Sequence, residues 1–296
     1  MRTAFYAIVG RPNVGKSCLT NAMTGEKVAI VSSKPQTTRN RVTGILTEGE
    51  DQFVFLDTPG LHKAKNRLGD YMMKTISTTM AEVDAAILVI EPLSKVGPAE
   101  KEIMRRLKDL ELPAILAVNK IDRYNANQIG DTILAYSAEF DFAAVVPVSA
   151  QTGKNVKELI EEARQFMHEG EWGFDADDFT DQPERQLASE MVREKILRCC
   201  NEEIPHGVAV VIEDFTEEEN KLNIRAVIHC EKESHKSILI GKNGEMLKKI
   251  GTYAREDMEK LFGCHVYLDL WVKVKENWRD SVTVLNSFGY NPKDLE

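Results

Sequence analysis

The feature that most constrains this chain is a glycine-rich loop near its N-terminus. An apolar run at residues 6–9 precedes the loop, and a helical pattern follows it. The loop matches the pattern G-x-x-x-x-G-K-[ST] with Gly10, Arg11, Pro12, Asn13, Val14, Gly15, Lys16 and Ser17. In this context, backbone amides and a helix N-terminus surround phosphate oxygens. We therefore predict a phosphate-binding site in which Lys16 neutralises the β- and γ-phosphates and Ser17 ligates Mg²⁺.

The first 170 residues alternate between strand and helix patterns. A helical repeat occupies residues 156–167. Short apolar runs typical of buried strands lie at residues 6–9, 53–56, 85–90, 114–118 and 144–148. Strands that alternate with helices predict an α/β domain of the P-loop NTPase class over residues 1–170, with a mostly parallel sheet and helices on both faces.

Polar motifs follow three of these apolar runs. The first is Asp57-Thr58-Pro59-Gly60, in which Asp57 is expected to face Mg²⁺ and the Gly60 amide to sense the γ-phosphate. Leu61 comes next, where Ras-type enzymes have a glutamine that orients the attacking water, which leucine cannot do. We therefore expect the water to be positioned by another group. Asn13 is a candidate ligand for K⁺, which would replace an arginine finger, although the spacing equally fits a turn residue.

The remaining two motifs indicate which base is bound. They are Asn119-Lys120-Ile121-Asp122 and Ser149-Ala150. The Asp122 carboxylate can accept hydrogen bonds from N1–H and the exocyclic amine of guanine, whereas adenine offers no donors there. Lys120 can cover the base plane, and the Ser149-Ala150 backbone can donate to guanine O6. The motifs together predict binding of GTP and GDP.

A polar segment, Gln36-Thr37-Thr38-Arg39, occupies the position of a first switch loop. One of its threonine hydroxyls could complete the Mg²⁺ shell, and we favour Thr38 over Thr37. A polar loop without this role is the alternative. We expect the switch loops to span residues 34–41 and 61–74 and to change order with the γ-phosphate.

A second domain is predicted beyond an acidic segment. Residues 171–184 contain many aspartates and little periodicity, which indicates a linker. Residues 185–280 then follow the order helix, strand, strand, helix, glycine loop, helix, strand, which fits an α+β KH domain of the bacterial type II. Residues 281–296 are interpreted as a C-terminal tail.

The glycine loop of this second domain predicts RNA binding. The loop is Gly241-Lys242-Asn243-Gly244, and Lys236, Lys248 and Lys249 lie near it. Glycines would let a sugar–phosphate backbone approach closely, although such a loop alone is more often a helix–helix turn. Trp271 and Trp278 could stack on bases, but core or lid positions are commoner for tryptophan.

Charge and composition agree with this division. The chain carries a net charge of -9, yet residues 235–279 hold nine basic and six acidic side chains. Local positive charge of this kind is what RNA phosphates experience. The apolar runs are too short to span a bilayer. Five cysteines without a CxxC pair indicate free thiols in a reducing cytosol.

The motifs together resemble those of the Era family of bacterial GTPases. The likeness includes GRPNVGKS, QTTR, DTPG before Leu61, NKID, SA, the Pro183-Glu184-Arg185 approach and ILIGKNGEMLKKI at residues 238–250. It implies GTP hydrolysis, binding of the 3′ end of small-subunit (16S) ribosomal RNA, and a role in assembly of the 30S subunit. It further implies a cytoplasmic protein with a peripheral fraction at the inner membrane, and we expect a monomer.

Two other functions fit the same motifs. One is an RNA-binding protein that uses GTP only as a structural ligand. The other is a GTPase that acts on a different RNA, such as a transfer RNA undergoing modification.

Overall fold

The structure is a computed structural model that describes residues 1–93, 95–291 and 293. The described chain forms two compact units. The first comprises Met1–Ala64 and Gly69–Asp181, and the second comprises Lys65–Leu68 and residues 182–291.

The first unit is an α/β structure. Its strands are β1 (Arg2–Val9), β2 (Val42–Glu48), β3 (Asp51–Asp57), β4 (Ala85–Ile90), β5 (Ala114–Val118), β6 (Ala144–Pro147) and β7 (His168–Glu169). Its helices are α1 (Lys16–Thr24), α2 (Arg67–Ala81), α3 (Pro98–Asp109), α4 (Ala126–Ser137) and α5 (Val156–Ala163). The first two residues of α2, Arg67 and Leu68, lie in the segment grouped with the second unit.

The sheet follows the order β2-β3-β1-β4-β5-β6, and β7 pairs with β1. Within this sheet, as far as the structure describes it, only the pairings of β2 and β7 are antiparallel. The mostly parallel sheet predicted from the apolar runs is therefore present. Because parallel strands end at a common edge, the loops after β1, β3, β5 and β6 emerge side by side.

The strands are held by an apolar core. Tyr6, Phe53 and Phe55 lie in contact, with ring centroids 5.5 to 6.1 Å apart. The Tyr6 hydroxyl donates to the carbonyl of Ala163 at 2.8 Å, which fastens the end of α5 to β1. The phosphate loop consequently extends from a strand that is buried on both faces.

The segment predicted to be a linker contacts the first unit along β2 and β3 as far as Asp181. The amide of Ile45 donates to the carbonyl of Phe179 at 2.9 Å. Thr43 and Asp181 join through their side chains at 2.9 Å. Phe179 also packs against Val28, Ala29 and Val42. We call residues 171–181 the strap.

The second unit contains the predicted order of elements. They are α6 (Glu184–Cys199), β8 (Ala209–Glu218), β9 (Lys221–Cys230), α7 (Glu233–Ile240), α8 (Glu245–Phe262), β10 (His265–Val274) and α9 (Val282–Ser287). The sheet has the order β10-β9-β8, with β9 antiparallel to β8 and parallel to β10. A glycine loop separates α7 from α8, as expected for a type II KH domain.

The residues interpreted as a C-terminal tail include the short helix α9. Leu285 and Tyr290 are buried, and Trp278 is fully buried between the rings of Phe288 and Tyr290. The Trp278 indole donates to the carbonyl of Gly207 at 3.0 Å. Trp278 is therefore a core residue in this structure, and Trp271 is 56% exposed.

Among the described residues, none of the helices combines the length and hydropathy that crossing a bilayer requires.

Candidate functional site

The loop after β1 closes tightly on its neighbours. A Cβ atom at Gly10 would lie 2.4 Å from the carbonyl oxygen of Val89, and one at Gly60 would lie 2.5 Å from the nitrogen of Pro12. Gly15 has φ +97° directly before α1. Only glycine suits this combination of crowding and left-handed backbone. The Gly10–Ser17 loop and Gly60 therefore approach each other at the N-terminus of α1.

Lys16 lies at the centre of this loop and is 6% exposed. Its ammonium donates to the carbonyls of Gly10 (3.3 Å) and Arg11 (3.2 Å). Burial lowers the pKa of Lys16 to about 8, and the charge of Asp57 partly opposes this shift. The negative charge of a bound polyphosphate would offset the free-energy cost of burying the Lys16 ammonium.

The three predicted metal ligands meet in one cluster. The Ser17 hydroxyl donates to Asp57 Oδ2 at 2.6 Å and lies 2.8 Å from the Thr38 hydroxyl. The Thr38 hydroxyl is 3.3 Å from the same carboxylate oxygen. Asp57 is fully buried, which raises its pKa to about 6 despite the opposing influence of Lys16 and the two hydroxyls.

This cluster fits a hard cation. Within the described residues, Asp57 Oδ1 is buried without a hydrogen-bond partner. Oxygen donors from a carboxylate and two hydroxyls suit Mg²⁺, which takes few protein ligands and keeps several waters. Ser17, Thr38 and Asp57 would hold the ion, and the ion would neutralise phosphate charge.

The geometry favours Thr38 over Thr37 in this cluster. The Thr37 hydroxyl instead donates to the carbonyl of Lys34 at 2.7 Å, within its own loop. Thr38 is 8% exposed and its hydroxyl points to Ser17 and Asp57. The hydroxyls of the two adjacent threonines thus have different hydrogen-bond partners.

Leu61 is anchored away from solvent. It is 7% exposed, packs with the core residues around Ile76 and Leu88, and its amide donates to the Gly10 carbonyl at 3.0 Å. An aliphatic chain in this position has no hydrogen-bonding group for a water molecule. The side chain of Leu61 therefore packs in the core and offers a water molecule no hydrogen bond.

Asn119 connects the phosphate loop to the loop after β6. Its Nδ2 donates to the carbonyl of Val14 at 2.9 Å, and its Oδ1 accepts from the amide of Ala150 at 3.0 Å. Asn119 is 1% exposed. Both hydrogen-bonding ends of its side chain therefore act within the protein, and the residue fixes the relative position of two loops.

Asp122 has a direct partner in Ser149, whose hydroxyl donates to Asp122 Oδ1 at 2.6 Å. Ser149 is fully buried. The amides of Ser149 and Ala150 donate to Lys154 and Asn119, respectively, at 3.0 Å each. If the Ala150 amide also donates to guanine O6, its hydrogen atom would be shared between O6 and Asn119 Oδ1.

Lys120 lines a cavity between the phosphate loop and the loops after β5 and β6. Its ammonium donates to the carbonyl of Asn13 at 2.6 Å and forms an ion pair with Glu91. Arg11 turns to Glu91 and Glu100, at 3.5 and 3.3 Å, and so does not line the cavity. The Lys120–Asn13 contact joins the base motif to the phosphate loop.

The cavity is lined by many of the predicted residues. These are Pro12, Asn13, Gly15, Lys16, Ser17, Thr38, Gly60, Asn119, Lys120, Asp122 and Ala150. Other motif residues support the lining from behind: Val14 packs in the core, the Thr58 hydroxyl donates to the carbonyl of Ile8 at 2.8 Å, Pro59 is buried and Ile121 begins a short 3₁₀ turn.

Several residues that line this cavity are not among those predicted from the sequence. They are Cys18, Ile30, Val31, Ser32, Ser33, Arg123 and Gln151. Residues 30–33 could have been indicated by their position between α1 and Thr38. The other three directly follow predicted site residues in the chain. Their types alone carry no phosphate-binding or base-binding pattern.

The glycine loop of the second unit projects into solvent. Gly241 has φ +75°, and a Cβ there would lie 2.7 Å from Cβ of Met246. Gly244 has φ +80° but open space around it. Lys242 and Asn243 are exposed, as are Lys248 and Lys249 on α8, while Lys236 on α7 is half-buried. The helix α8 begins directly after Gly244, so its positive end adjoins these lysines.

Comparisons with known proteins match the two units of the chain to two different family models. Residues 5–120 match the family model described as a 50S ribosome-binding GTPase, and residues 203–279 match the KH domain model. The GTPase Era of Clostridioides difficile is 48% identical over 295 residues, covering 99% of both chains. The GTPase Era of Clostridium kluyveri is 48% identical over 291 residues, covering 98% of this chain and 99% of its own.

Solved structures give the same result. A substituted variant of Aquifex aeolicus Era bound to GDP·AlF4⁻ has a TM-score of 0.95 at 38% identity, covering 98% of this chain and all of its own. Era bound to MgGDPNP and nucleotides 1506–1542 of 16S ribosomal RNA has a TM-score of 0.94 at 38% identity, covering 98% and 99%. With such identity along nearly its full length, the chain belongs to the GTPase Era family.

Proposed function

We propose that this protein is a GTP-hydrolysing switch that binds the 3′ end of 16S ribosomal RNA and acts in assembly of the 30S ribosomal subunit. The observation that carries the nucleotide part is the meeting of Ser17, Thr38 and Asp57 beside Lys16. A threonine from the first switch loop would join the Mg²⁺ shell when GTP is bound. Loss of the γ-phosphate would then release that loop.

The phosphate chain would lie along the Gly10–Ser17 loop with Lys16 against its β- and γ-phosphates. The Gly60 amide would face the γ-phosphate, and Asp122 with Lys120 would hold guanine. Catalysis of phosphoryl transfer depends chiefly on such positioning and on charge stabilisation. Lys16→Ala should therefore abolish turnover of GTP, measured as phosphate release.

We further propose that Asn13 ligates K⁺ near the phosphates. Asn13 lines the cavity with φ +66°, and its carbonyl accepts from Lys120. The left-handed backbone is common for asparagine, so a turn role remains the competing explanation. Equal rates in Na⁺ and K⁺, together with an unchanged rate in Asn13→Ala, would exclude the cation site.

The RNA part of the proposal concerns the Gly241–Gly244 loop and Lys236, Lys242, Lys248 and Lys249. The related Era structure holds nucleotides 1506–1542 of 16S ribosomal RNA. A glycine loop beside a helix N-terminus lets a phosphate backbone approach closely. Crosslinking in cells followed by sequencing should identify the 3′ end of 16S ribosomal RNA, and recovery of another RNA instead would contradict this assignment.

A matched pair of variants tests the loop itself. Gly244 has room for a side chain, and its left-handed backbone is tolerated by both Asn and Asp. Gly244→Asp should weaken binding of a 16S 3′-end oligonucleotide more than Gly244→Asn, because the two differ chiefly in charge. Equal affinities for both variants and the unmodified protein would exclude close phosphate contact. Gly241 is less suitable, since any Cβ there meets Met246.

We also propose a monomeric, cytoplasmic protein with a peripheral fraction at the inner membrane, as the family resemblance implies. Light scattering would test the monomer, and cell fractionation with a salt wash would test the membrane fraction.

A further inference from the structure

Hydrolysis by this site needs a polar group near the γ-phosphate that Leu61 does not supply. The next residue in the chain, His62, is half-buried beside Gly60. Its Nδ1 lies 2.8 Å from the carbonyl oxygen of Gly60. A carbonyl oxygen only accepts hydrogen bonds, so Nδ1 must carry the proton.

This contact decides the chemistry of the other ring nitrogen. In the neutral imidazole, a proton on Nδ1 leaves a lone pair on Nε2. That lone pair faces Gln36, whose Nε2 lies 3.4 Å away. The side-chain amide of Gln36 is therefore the donor, and His62 presents an acceptor toward the first switch loop.

Gln36 itself belongs to the cavity rim. It lines the cavity together with Thr37, Thr38 and Gly60, and it has φ +59°. A non-glycine residue in this region is held at a conformational cost, which a rearrangement of the loop would release. The partner that occupies the His62 acceptor thus sits on a segment expected to move with the nucleotide.

We propose that His62 orients the attacking water, with Nε2 accepting a hydrogen bond from the water in place of the Gln36 amide. The inference rests on the proposed GTP site. The water oxygen bonds to the γ-phosphorus as the bond from that phosphorus to the β–γ bridging oxygen breaks. GDP leaves, and the water's proton passes to the phosphate, so His62 ends the reaction in its starting state.

The test uses the full chain and compares His62→Ala, His62→Gln and His168→Gln. His168 is exposed on β7 and provides a matched control for loss of an imidazole. We expect His62→Ala to lower kcat on the order of 100-fold, as loss of one preorganised group does, while KM for GTP and affinity for GDP stay unchanged. His62→Gln should recover part of kcat through its amide oxygen, and added imidazole should partly rescue His62→Ala.

Three results would overturn the inference. One is an unchanged kcat in His62→Ala. The second is a parallel loss of GDP affinity in both His62 variants without imidazole rescue, which would show that the ring merely braces Gly60. The third is that the unmodified protein hydrolyses GTP no faster than Lys16→Ala. That result would overturn the proposed GTP site as well, whereas the first two results leave that site intact.

Discussion

The hydroxyl of Ser149 donates a 2.6 Å hydrogen bond to Oδ1 of Asp122. The two residues come from different loops, after β6 and β5, and Ser149 is fully buried while Asp122 reaches the cavity. A buried donor on one carboxylate oxygen fixes the orientation of the group. On the proposed assignment, the carboxylate would be oriented toward guanine before the base arrives, which would lower the entropy cost of binding.

This arrangement predicts how base specificity can be changed. Asp122→Asn replaces one acceptor with an amide donor, which no longer matches the N1–H and exocyclic amine of guanine. We expect GTP affinity to fall by roughly 100-fold and binding of xanthosine triphosphate, which has a carbonyl in place of that amine, to increase. Competition binding with the two nucleotides measures this.

Ser149→Ala is the companion variant, because it removes the orienting donor but keeps the carboxylate. Its GTP affinity should fall less, and guanine should stay preferred. A switch of base preference in Ser149→Ala would contradict the assigned roles.

The buried Lys16 predicts proton uptake on nucleotide binding. Burial lowers the pKa of Lys16 from 10.5 to about 8. Nucleotide phosphates would raise this pKa again, so a Lys16 that is partly neutral at pH 8 takes up a proton on binding. We expect uptake of about half a proton per GDP at pH 8 and little at pH 7, where Lys16 is already charged.

Calorimetric titrations in buffers of different ionisation enthalpy measure this uptake. Equal proton uptake at both pH values would show that Lys16 does not face the phosphates.

The buried Asp57 predicts a pH-dependent stability difference in the nucleotide-free protein. Its pKa is raised from 3.8 to about 6 by burial. Between these values the folded protein binds more protons than the unfolded chain, so this residue makes stability fall as pH rises. Asp57→Asn should therefore raise the free energy of unfolding at pH 7 by up to about 3 kcal/mol, since a shift of about two pKa units already includes the attraction to Lys16.

Urea denaturation across this pH range, without nucleotide or Mg²⁺, gives the comparison. The gain should shrink as the pH falls and vanish near about pH 3, where the carboxyl is protonated in both states. Asp131→Asn, at an exposed position on α4, should show no such profile. With Mg²⁺ and GDP the order should reverse, since the variant loses a metal ligand.

The packing of the strap predicts that it stabilises the ordered form of the first switch loop. Phe179 packs against Val28, Ala29 and Val42, which flank that loop. Phe179→Ala should lower the free energy of unfolding by about 1 to 2 kcal/mol, less than a fully buried phenylalanine would. We also expect it to weaken binding of a GTP analogue more than binding of GDP, because only the former needs an ordered loop.

Phe174→Ala is the matched control, since Phe174 meets Gln52 of β3 through its backbone. It should affect GTP-analogue and GDP binding equally. If Phe179→Ala also affects both nucleotides equally, the strap does not act through the switch loop.

The amino-acid sequence by itself determined the positions of the motifs and of most strands in the first unit. Strands β4 and β5 begin and end where their apolar runs do, because strands buried on both faces need unbroken apolar segments. The motif spacing likewise placed Asp57 and Asn119 directly at the ends of strands. Each of these signals is local, so neighbouring residues were enough to define it.

The tertiary structure decided what depends on residues distant in sequence. The hydroxyl of Thr38 contacts Ser17 and Asp57, whereas the hydroxyl of the adjacent Thr37 contacts its own loop. Strand β2, which was not predicted from the sequence, pairs with β3 at one side of the sheet, and the strap lies against it. Asn119 serves as a connection between loops because Val14 and Ala150 happen to lie on either side of it. Such contacts arise from chain packing, which no local pattern records.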